Sequence, residues 1–317
     1  MAHLQNFALW FSVVLIFSAC KRDNDETAVM PGNIPSDTAR MAAPGTISTF
    51  MNERDFTMTP AMDQLFFTVN EGPAYAIVTL KRKADGWTQP RIVSFNSSYH
   101  DIEPFVSPDG SKLFFASDRP VTNQDDSKDF DIWVVEKQGI GWGTPENIGH
   151  PVNTHLNEFY PSVAASGNLY FTTHNDMIAM AEFRAGAYKK PRLLPDSVNT
   201  GKGEYNAFID PQERYLLFSS HGWQQDFGRG DLFVSYRKND ESWTTPHCLD
   251  GRVNSPRIDM CPYVTPDGRF LFFSSRRKAQ NQKIPEVYSG FKERAGHPGN
   301  GKLDIYVVAA EGLLDFN

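Results

Sequence analysis

Apolar residues along most of the chain fall into short runs that are separated by turn residues. The stretch that ends at Ser117 reads Glu-Pro-Phe-Val-Ser-Pro-Asp-Gly-Ser-Lys-Leu-Phe-Phe-Ala-Ser, and the stretch that ends at Ser275 reads Cys-Pro-Tyr-Val-Thr-Pro-Asp-Gly-Arg-Phe-Leu-Phe-Phe-Ser-Ser. Proline fixes φ, aspartate bonds back to the backbone and glycine accepts a positive φ, so Pro-Asp-Gly between two such runs predicts a turn. Each stretch is therefore expected to form a hairpin of two strands.

Two further strands complete the unit. A third apolar run begins at Asp131, Asp231 and Asp304, and a fourth segment follows as an aromatic residue with a proline three positions later, as in Trp142 and Pro145. An acidic residue precedes the first strand of each unit, and the set recurs about once every 50 residues, a period typical of propeller blades. Its members are Asp55, Asp101, Glu158, Glu204 and Asp259. The pattern predicts an all-β, five-bladed β-propeller of four-stranded blades.

The ends of the chain are expected to share one blade. The fifth unit stops after its third strand, at Val308, and Pro44 stands ahead of Asp55 as Pro90 stands ahead of Asp101. We therefore expect residues near 44–52 to pair with the strand that starts at Asp304. Closure by an N-terminal strand removes a free sheet edge that would invite aggregation.

The stretch from Trp142 to Phe171 carries a family resemblance. It reads Trp-x-x-Pro-x-Asn-Ile-Gly-x-Pro-Val-Asn-Thr, then an acid, Pro-x-Val and Gly-x-Leu-Tyr-Phe. This pattern resembles the WD40-like TolB-type propeller repeat, and it is most similar to the form in OmpA-associated lipoproteins of Gram-negative envelopes. The resemblance covers residues from about 41 to 317 and implies a secreted envelope protein.

The N-terminus predicts export and lipidation. Phe7 to Phe17 is an apolar run of signal-peptide length that ends in Phe-Ser-Ala-Cys20, which resembles a lipobox. The alternative is an ordinary signal peptide with a chance cysteine. We predict a lipoprotein signal peptide over 1–19, a flexible tether over 20–40 and the propeller over 41–317. The acids Asp23, Asp25 and Glu26 suit either a surface-export signal or an ordinary charged linker.

Charge excludes one class of partner. The chain has a formal net charge of −7 and no concentrated run of lysine and arginine, so a nucleic-acid partner is not expected. The expected partners are the membrane, through the lipid at Cys20, and an envelope protein or glycan. The location is then the outer membrane, on its periplasmic or its outer surface.

One face of the predicted ring carries the candidate binding residues. The connection into each first strand and the loop between the second and third strands emerge on the same side, where carboxylates, guanidinium groups and an indole suit a sugar or a peptide. The candidates are the five repeat acids together with Arg119, His174, His221, Trp223, Arg276 and Arg277. Five acids near one axis could also recruit Ca²⁺.

Two alternatives stay open for these acids. Most follow an Asn-Ser or Asn-Thr pair by five residues, such as Asn96 and Asn153, so they could simply bond backbone donors in the turn before the strand. Alternatively, axial carboxylates could serve a glycoside hydrolase-like or lyase-like carbohydrate enzyme. Carboxylate pairs around an open pocket would favour hydrolysis, and acids directed into turns would favour a scaffold. The primary expectation is a binding scaffold without catalysis.

Overall fold

The computed structural model describes residues 38–84, 86–122, 129–224, 226–278 and 285–314. The signal peptide and almost all of the tether lie outside the described residues. None of the helices in these ranges is long and apolar enough to cross a lipid bilayer.

Five antiparallel sheets form the ring of a five-bladed β-propeller, as the repeat predicts. The first strand of the chain is β1 (Arg40–Met41), which belongs to the last blade. Blade 1 contains β2 (Asn52–Met58), β3 (Gln64–Glu71), β4 (Ala74–Lys83), β5 (Gly86–Trp87) and β6 (Arg91–Ile92). Blade 2 contains β7 (Asp101–Val106), β8 (Lys112–Ser117), β9 (Asp131–Gln138), β10 (Gly141–Trp142) and β11 (Glu146–Asn147).

The remaining blades repeat this order. Blade 3 contains β12 (Glu158–Val163), β13 (Leu169–Thr173), β14 (Ile178–Ala181), β15 (Phe183–Arg184), β16 (Ala187–Tyr188) and β17 (Arg192–Leu193). Blade 4 contains β18 (Glu204–Ile209), β19 (Tyr215–Ser220), β20 (Asp231–Tyr236) and β21 (His247–Cys248). Blade 5 contains β22 (Asp259–Val264), β23 (Phe270–Ser275), β24 (Asp304–Ala309) and β1, and the helix α1 (Tyr288–Ala295) precedes β24.

The N-terminal strand closes the ring, although in a different register from the one the sequence predicts. Arg40 pairs with Val307 and Met41 pairs with Tyr306, so the partner of β24 is not the segment near 44–52. Residues 42–48 instead form a tight turn, in which the Thr46 amide donates to the Ala43 carbonyl. Pro44 lies within that turn, five residues beyond the place that the proline occupies in other blades. The propeller also begins at Arg40, a residue that the sequence analysis places in the tether.

The inner strands bulge at the same place in all five blades. The ladder with the second strand shifts register two residues into the inner strand in blades 2–5 and three residues in, between Arg54 and Thr57, in blade 1. The residue at each bulge has a positive φ, between 48° and 62°, although none of the five is glycine. Bulges of this kind redirect side chains, and here they turn one residue per blade toward the axis.

The core lies between neighbouring sheets. Each second strand is apolar on both faces because it is covered by a blade on either side, and Phe66, Phe115, Phe218 and Phe272 are among the largest fully buried side chains. Phe56 of blade 1 stacks on Phe272 of blade 5, with ring centroids 4.0 Å apart. This contact joins the first and last blades through their side chains, in addition to β1, which places the start of the chain in the sheet of blade 5.

Two faces of the ring are used below. The loop face carries the connections that enter each inner strand and the loops between second and third strands. The turn face carries the turns between first and second strands and the connections between third and outer strands.

Candidate functional site

The repeat acids bind the turns that precede them. Asp259 accepts hydrogen bonds from the Ser255 amide (2.6 Å) and hydroxyl (2.7 Å), and Asp101 accepts the same pair from Ser97. Glu158 and Glu204 accept from threonines four residues earlier, Thr154 and Thr200. All four acids are buried. Their placement matches the interpretation that a side chain in every blade satisfies backbone donors of the entry turn.

Asp55 is not the fifth member of this set. Glu53 takes the position in blade 1, because the Thr49 amide and hydroxyl donate to its carboxylate as Ser255 donates to Asp259. Asp55 lies two residues farther along the strand, at the bulge. The sequence prediction placed the repeat acid two residues too late in blade 1, because an acid occurs at both positions of this strand, as it also does in blade 2.

The bulge residues form a buried polar network on the axis. They are Asp55, Glu103, Tyr160, Asn206 and Cys261, and each is at most 7% exposed. Arg54 joins two of them, with Nε 2.8 Å from the Asp55 carboxylate and Nη2 2.6 Å from Glu103.

Hydrogen bonds extend this network across the ring. The Tyr160 amide donates to Glu103 (2.7 Å), and the Tyr160 hydroxyl donates to the Pro262 carbonyl on a non-adjacent blade (3.3 Å). The Cys261 thiol donates to Asn206 (3.6 Å). These bonds join blades 2, 3, 4 and 5 at the axis, and Arg54 adds blade 1. We call these bulge residues and Arg54 the axial plug.

Burial sets the protonation behaviour of the plug. Desolvation raises the pKa of Glu103 to about 7, against the opposing effect of the Arg54 guanidinium. Burial also raises the pKa of the Cys261 thiol well above its ordinary value, and the Asp55 carboxylate adds to this. A thiol held protonated is a poor nucleophile. Cys261 therefore contributes packing and a weak hydrogen bond to the plug.

Two of the predicted arginines hold repeat acids in place. The Arg119 Nη2 donates to Asp101 at 2.5 Å, and the Arg277 Nη2 donates to Asp259 at 2.7 Å. Arg277 also donates to the Val253 carbonyl, which lies in the connection that enters the same inner strand. Both guanidinium groups are thus engaged within their own blades.

The other predicted residues lie on the loop face as expected, but they do not converge on one point. His174, His221 and Arg276 are exposed on the loops of blades 3, 4 and 5. Trp223 is half-buried, and its indole Nε1 donates to the Ser220 hydroxyl at 2.8 Å. The Lys202 ammonium lies 4.1 Å from the centroid of the indole ring. These side chains provide surface chemistry at separate places.

A cavity, called the axial cavity below, opens on the turn face of the ring. It has a volume of about 730 Å³ and is lined by inner-strand residues of all five blades and by their turns. Phe105, Phe208 and Tyr263 form its aromatic floor, and the rings of Phe208 and Tyr263 meet edge to face at 5.4 Å. The Tyr263 hydroxyl is occupied, because it donates to the Met58 carbonyl. The floor therefore presents apolar ring surface.

The sequence does not predict this cavity. Its polar rim includes Asp109, Lys112, Asp210 and Arg214, and the Arg214 Nη2 donates to Asp210 at 2.9 Å. A usable signal did exist, because three of the five units carry an aromatic residue four positions after the repeat acid. This aromatic residue lies in an apolar strand of the repeat, where the sequence does not distinguish it from a core residue.

No group of three or more histidine, cysteine, aspartate or glutamate side chains in the described ranges is arranged to hold a metal ion. Calcium at the repeat acids thus stays a prediction. The acids do not meet at one point, because each is bound to its own entry turn.

Solved structures with similar folds include TolB proteins and a glycoside hydrolase. TolB from Acinetobacter baumannii is 11% identical over 81% of this chain, with a TM-score of 0.45, and the chain spans 54% of that protein's length. A putative TolB from Agrobacterium tumefaciens is 15% identical over 81% of this chain and 90% of its own, with a TM-score of 0.47.

A thermostable family-43 glycoside hydrolase is 11% identical over 84% of this chain and 91% of its own, with a TM-score of 0.51. This similarity concerns the fold alone. No protein-family model matches the chain, and no curated protein matches it.

Proposed function

We propose that this protein is a lipid-anchored propeller of the outer envelope that binds a partner protein without catalysis. The observation that carries the proposal is the axial cavity on the turn face, which is concave, apolar at its floor and polar at its rim. Binding sites commonly combine these features in cavities of about 300–1,000 Å³. The proposed relationship is to the OmpA-associated lipoproteins whose repeat the sequence resembles.

A protein is favoured over a glycan as the occupant of this cavity. Sugars need hydrogen-bonding groups beside an aromatic surface, but the Tyr263 hydroxyl already bonds Met58 and the Asp210 carboxylate already bonds Arg214. An apolar side chain at the tip of a partner loop would instead bury its surface against Phe105 and Phe208. Such an anchor in a pocket with a polar rim is the usual centre of a protein interface.

The position of the carboxylates weighs against a glycoside hydrolase-like or lyase-like role. The repeat acids bind their entry turns, while Asp55 and Glu103 are buried and joined through Arg54. None of these acids lines the axial cavity. The acids at its rim, the exposed Asp109 and the buried Asp210, accept hydrogen bonds from backbone amides of their own turns.

Occlusion of the cavity mouth tests the proposal. Ala165 is exposed in the turn between β12 and β13 and lines the mouth, so A165W would narrow the entrance without disturbing the core. Ala187 is exposed on β16, outside the cavity lining, and A187W is the matched control. Full-length protein of each kind would be used to isolate partners from its own envelope.

We expect one protein to be retained by the wild type and by A187W and to be lost, by about tenfold or more, with A165W. Equal retention by all three would contradict binding in the cavity. Loss of the partner after glycanase treatment alone would identify the ligand as a glycan instead.

The anchor has its own test. Cys20 lies outside the described residues, and the proposal that it carries lipid rests on the Phe-Ser-Ala-Cys pattern. C20A is expected to move the protein from the membrane fraction to the soluble periplasmic fraction. A C20A protein that still sediments with membranes would contradict the anchor, while leaving the cavity test unaffected.

A further inference from the structure

The loop face of blades 4 and 5 carries three exposed arginines. Arg229, Arg257 and Arg276 are all exposed, and within the described residues no carboxylate lies at ion-pair distance from any of them. An arginine presents five donors in a planar fork that matches carboxylate, phosphate and sulfate groups. Three such forks in a chain of net charge −7 form a local cationic surface.

Backbone contacts bring the three segments side by side. The Arg276 amide donates to the Ile258 carbonyl at 3.0 Å, so Arg276 lies next to Arg257. A Cβ atom on Gly228 would lie 2.5 Å from the Arg257 carbonyl oxygen, which shows how closely the segment before Arg229 packs there. The three arginines therefore extend from adjacent parts of one surface.

The carboxylates on these segments are engaged within their loops, since the half-buried Asp226 accepts from the Trp223 amide at 2.8 Å and two others are buried. Asp231 and Asp259 are fully buried, and each accepts hydrogen bonds from the loop above it, Asp231 from Phe227 and Asp259 from Ser255. The Arg277 guanidinium also forms an ion pair with the Asp259 carboxylate. The exposed guanidinium groups thus face solvent without nearby neutralisation by these acids.

An exposed aromatic ring lies in the same surface. Phe227 is 45% exposed, and a Cβ atom on Gly251 would lie 3.4 Å from its Cε1 atom. One edge of the ring thus lies against Gly251, in the connection that enters blade 5. A ring held in this way next to cationic forks suits the apolar face of a sugar that carries an acidic group.

We infer that Arg229, Arg257, Arg276 and Phe227 form a binding surface for an anionic polysaccharide, separate from the axial cavity. The guanidinium groups bind the acidic groups of successive residues, and Phe227 stacks on a sugar ring. The positive charge attracts any polyanion. The aromatic ring favours a polysaccharide over polyanions that have no sugar ring.

The test measures binding of the full chain to three soluble polymers at low salt: polygalacturonate, polyglutamate and polyphosphate. The wild type is expected to bind polygalacturonate most tightly and to lose it as salt increases. The variant R229Q/R257Q/R276Q should bind about tenfold or more weakly, as expected for the loss of three exposed charge pairs. The control R91Q/R184Q/R192Q removes three exposed arginines from other surfaces and should change the affinity less than twofold.

Phe227 separates sugar recognition from charge alone. F227A is expected to weaken polygalacturonate binding about threefold or more and to leave polyphosphate binding unchanged, because polyphosphate has no ring to stack. Equal losses of affinity in the two arginine variants would contradict a binding surface at Arg229, Arg257 and Arg276. Polyglutamate binding as tight as polygalacturonate binding, or an F227A protein with unchanged affinity for both, would overturn the choice of a polysaccharide.

Discussion

At the residue scale, an asparagine clamp recurs between neighbouring blades. The side chain of Asn254 accepts from the Leu232 amide (2.8 Å) and donates to the carbonyls of Leu232 (3.1 Å) and Leu249 (2.7 Å). Asn153 and Asn199 make equivalent bonds in blades 2 and 3. The clamp fixes the third strand against the connection that leaves its blade. It explains why the Asn-Ser and Asn-Thr pairs recur in the sequence.

The clamp gives a direct stability prediction. N254A would leave the buried Leu232 amide and the Leu249 carbonyl without this partner, while the Leu232 carbonyl keeps the bond from the Leu249 amide, and we expect the free energy of unfolding to fall by about 2–4 kcal/mol. Chemical denaturation measures this change. The control N175A removes an exposed asparagine and should stay within about 0.5 kcal/mol of the wild type. A similarly small effect of N254A would mean that water replaces the lost bonds.

The sequence predicts some of these residue roles and hides others. The repeat acids can be recognised in the sequence because an acid occurs in each unit. Of the two alternatives for these acids, bonding to backbone donors in the turn before the strand describes the contacts that they make. The bulge position is not visible, because its occupants are as different as Asp55, Tyr160 and Cys261. What these residues share is a backbone conformation and a place on the axis, which no single unit reveals.

At the scale of elements, a strand of two residues closes the ring. Arg40 and Met41 pair with β24, the Ala42 amide donates to the Ile305 carbonyl at 2.8 Å, and the Ser48 hydroxyl donates to the same carbonyl at 3.0 Å. Ser48 also accepts from the Ile305 amide, so it takes the role that asparagine has elsewhere. The existence of the closing strand was predictable from the unfinished last unit. Its register was not, because the turn of residues 42–48 has no counterpart in the other blades.

Closure should depend on the Ala42 amide. A42P removes this donor, so of the two donors only the Ser48 hydroxyl still bonds the buried Ile305 carbonyl. We therefore expect the free energy of unfolding to fall by about 1–3 kcal/mol. Hydrogen exchange would show faster exchange in β24 than in the third strands of other blades. T38P, placed before the strand, is the control. Unchanged exchange in β24 after A42P would show that the side-chain contacts of Phe56 suffice to close the ring.

At the scale of the whole molecule, the number of blades follows from the repeat, while the cavity does not. The repeat specifies what each blade contains, but the axial cavity depends on side chains from all five inner strands meeting after closure. Contacts such as that between Phe105 and Phe208 join residues about a hundred positions apart, as expected for a toroid. The cavity therefore becomes visible only when the ring is assembled.

The seam between the first and last blades makes the stability of the ring sensitive to pH. Burial raises the pKa of Glu53 to about 7 and that of Asp304 to about 7, and the Glu53 carboxylate adds to the increase at Asp304. The folded protein then holds more protons than the unfolded chain between about pH 4 and pH 7, so the free energy of unfolding falls as pH rises through this interval.

D304N should flatten this dependence. The asparagine oxygen can still accept from the Gly299 amide, which bonds Asp304 at 3.0 Å, but no buried charge forms at high pH. We expect D304N to be more stable than the wild type by about 1–3 kcal/mol at pH 8, with a smaller difference at pH 5. Denaturation at both pH values measures the effect, with the exposed D196N as control. An unaltered slope in D304N would assign the pH dependence to other groups.

The axial plug closes the axial cavity at one end. Arg54 and the buried bulge residues occupy the far end, so an occupant that enters past Ala165 must withdraw by the same route. A threaded chain cannot pass from one side of the ring to the other along the axis. The cavity therefore suits the protruding tip of a partner protein. The residence time of that partner depends on dissociation through one opening.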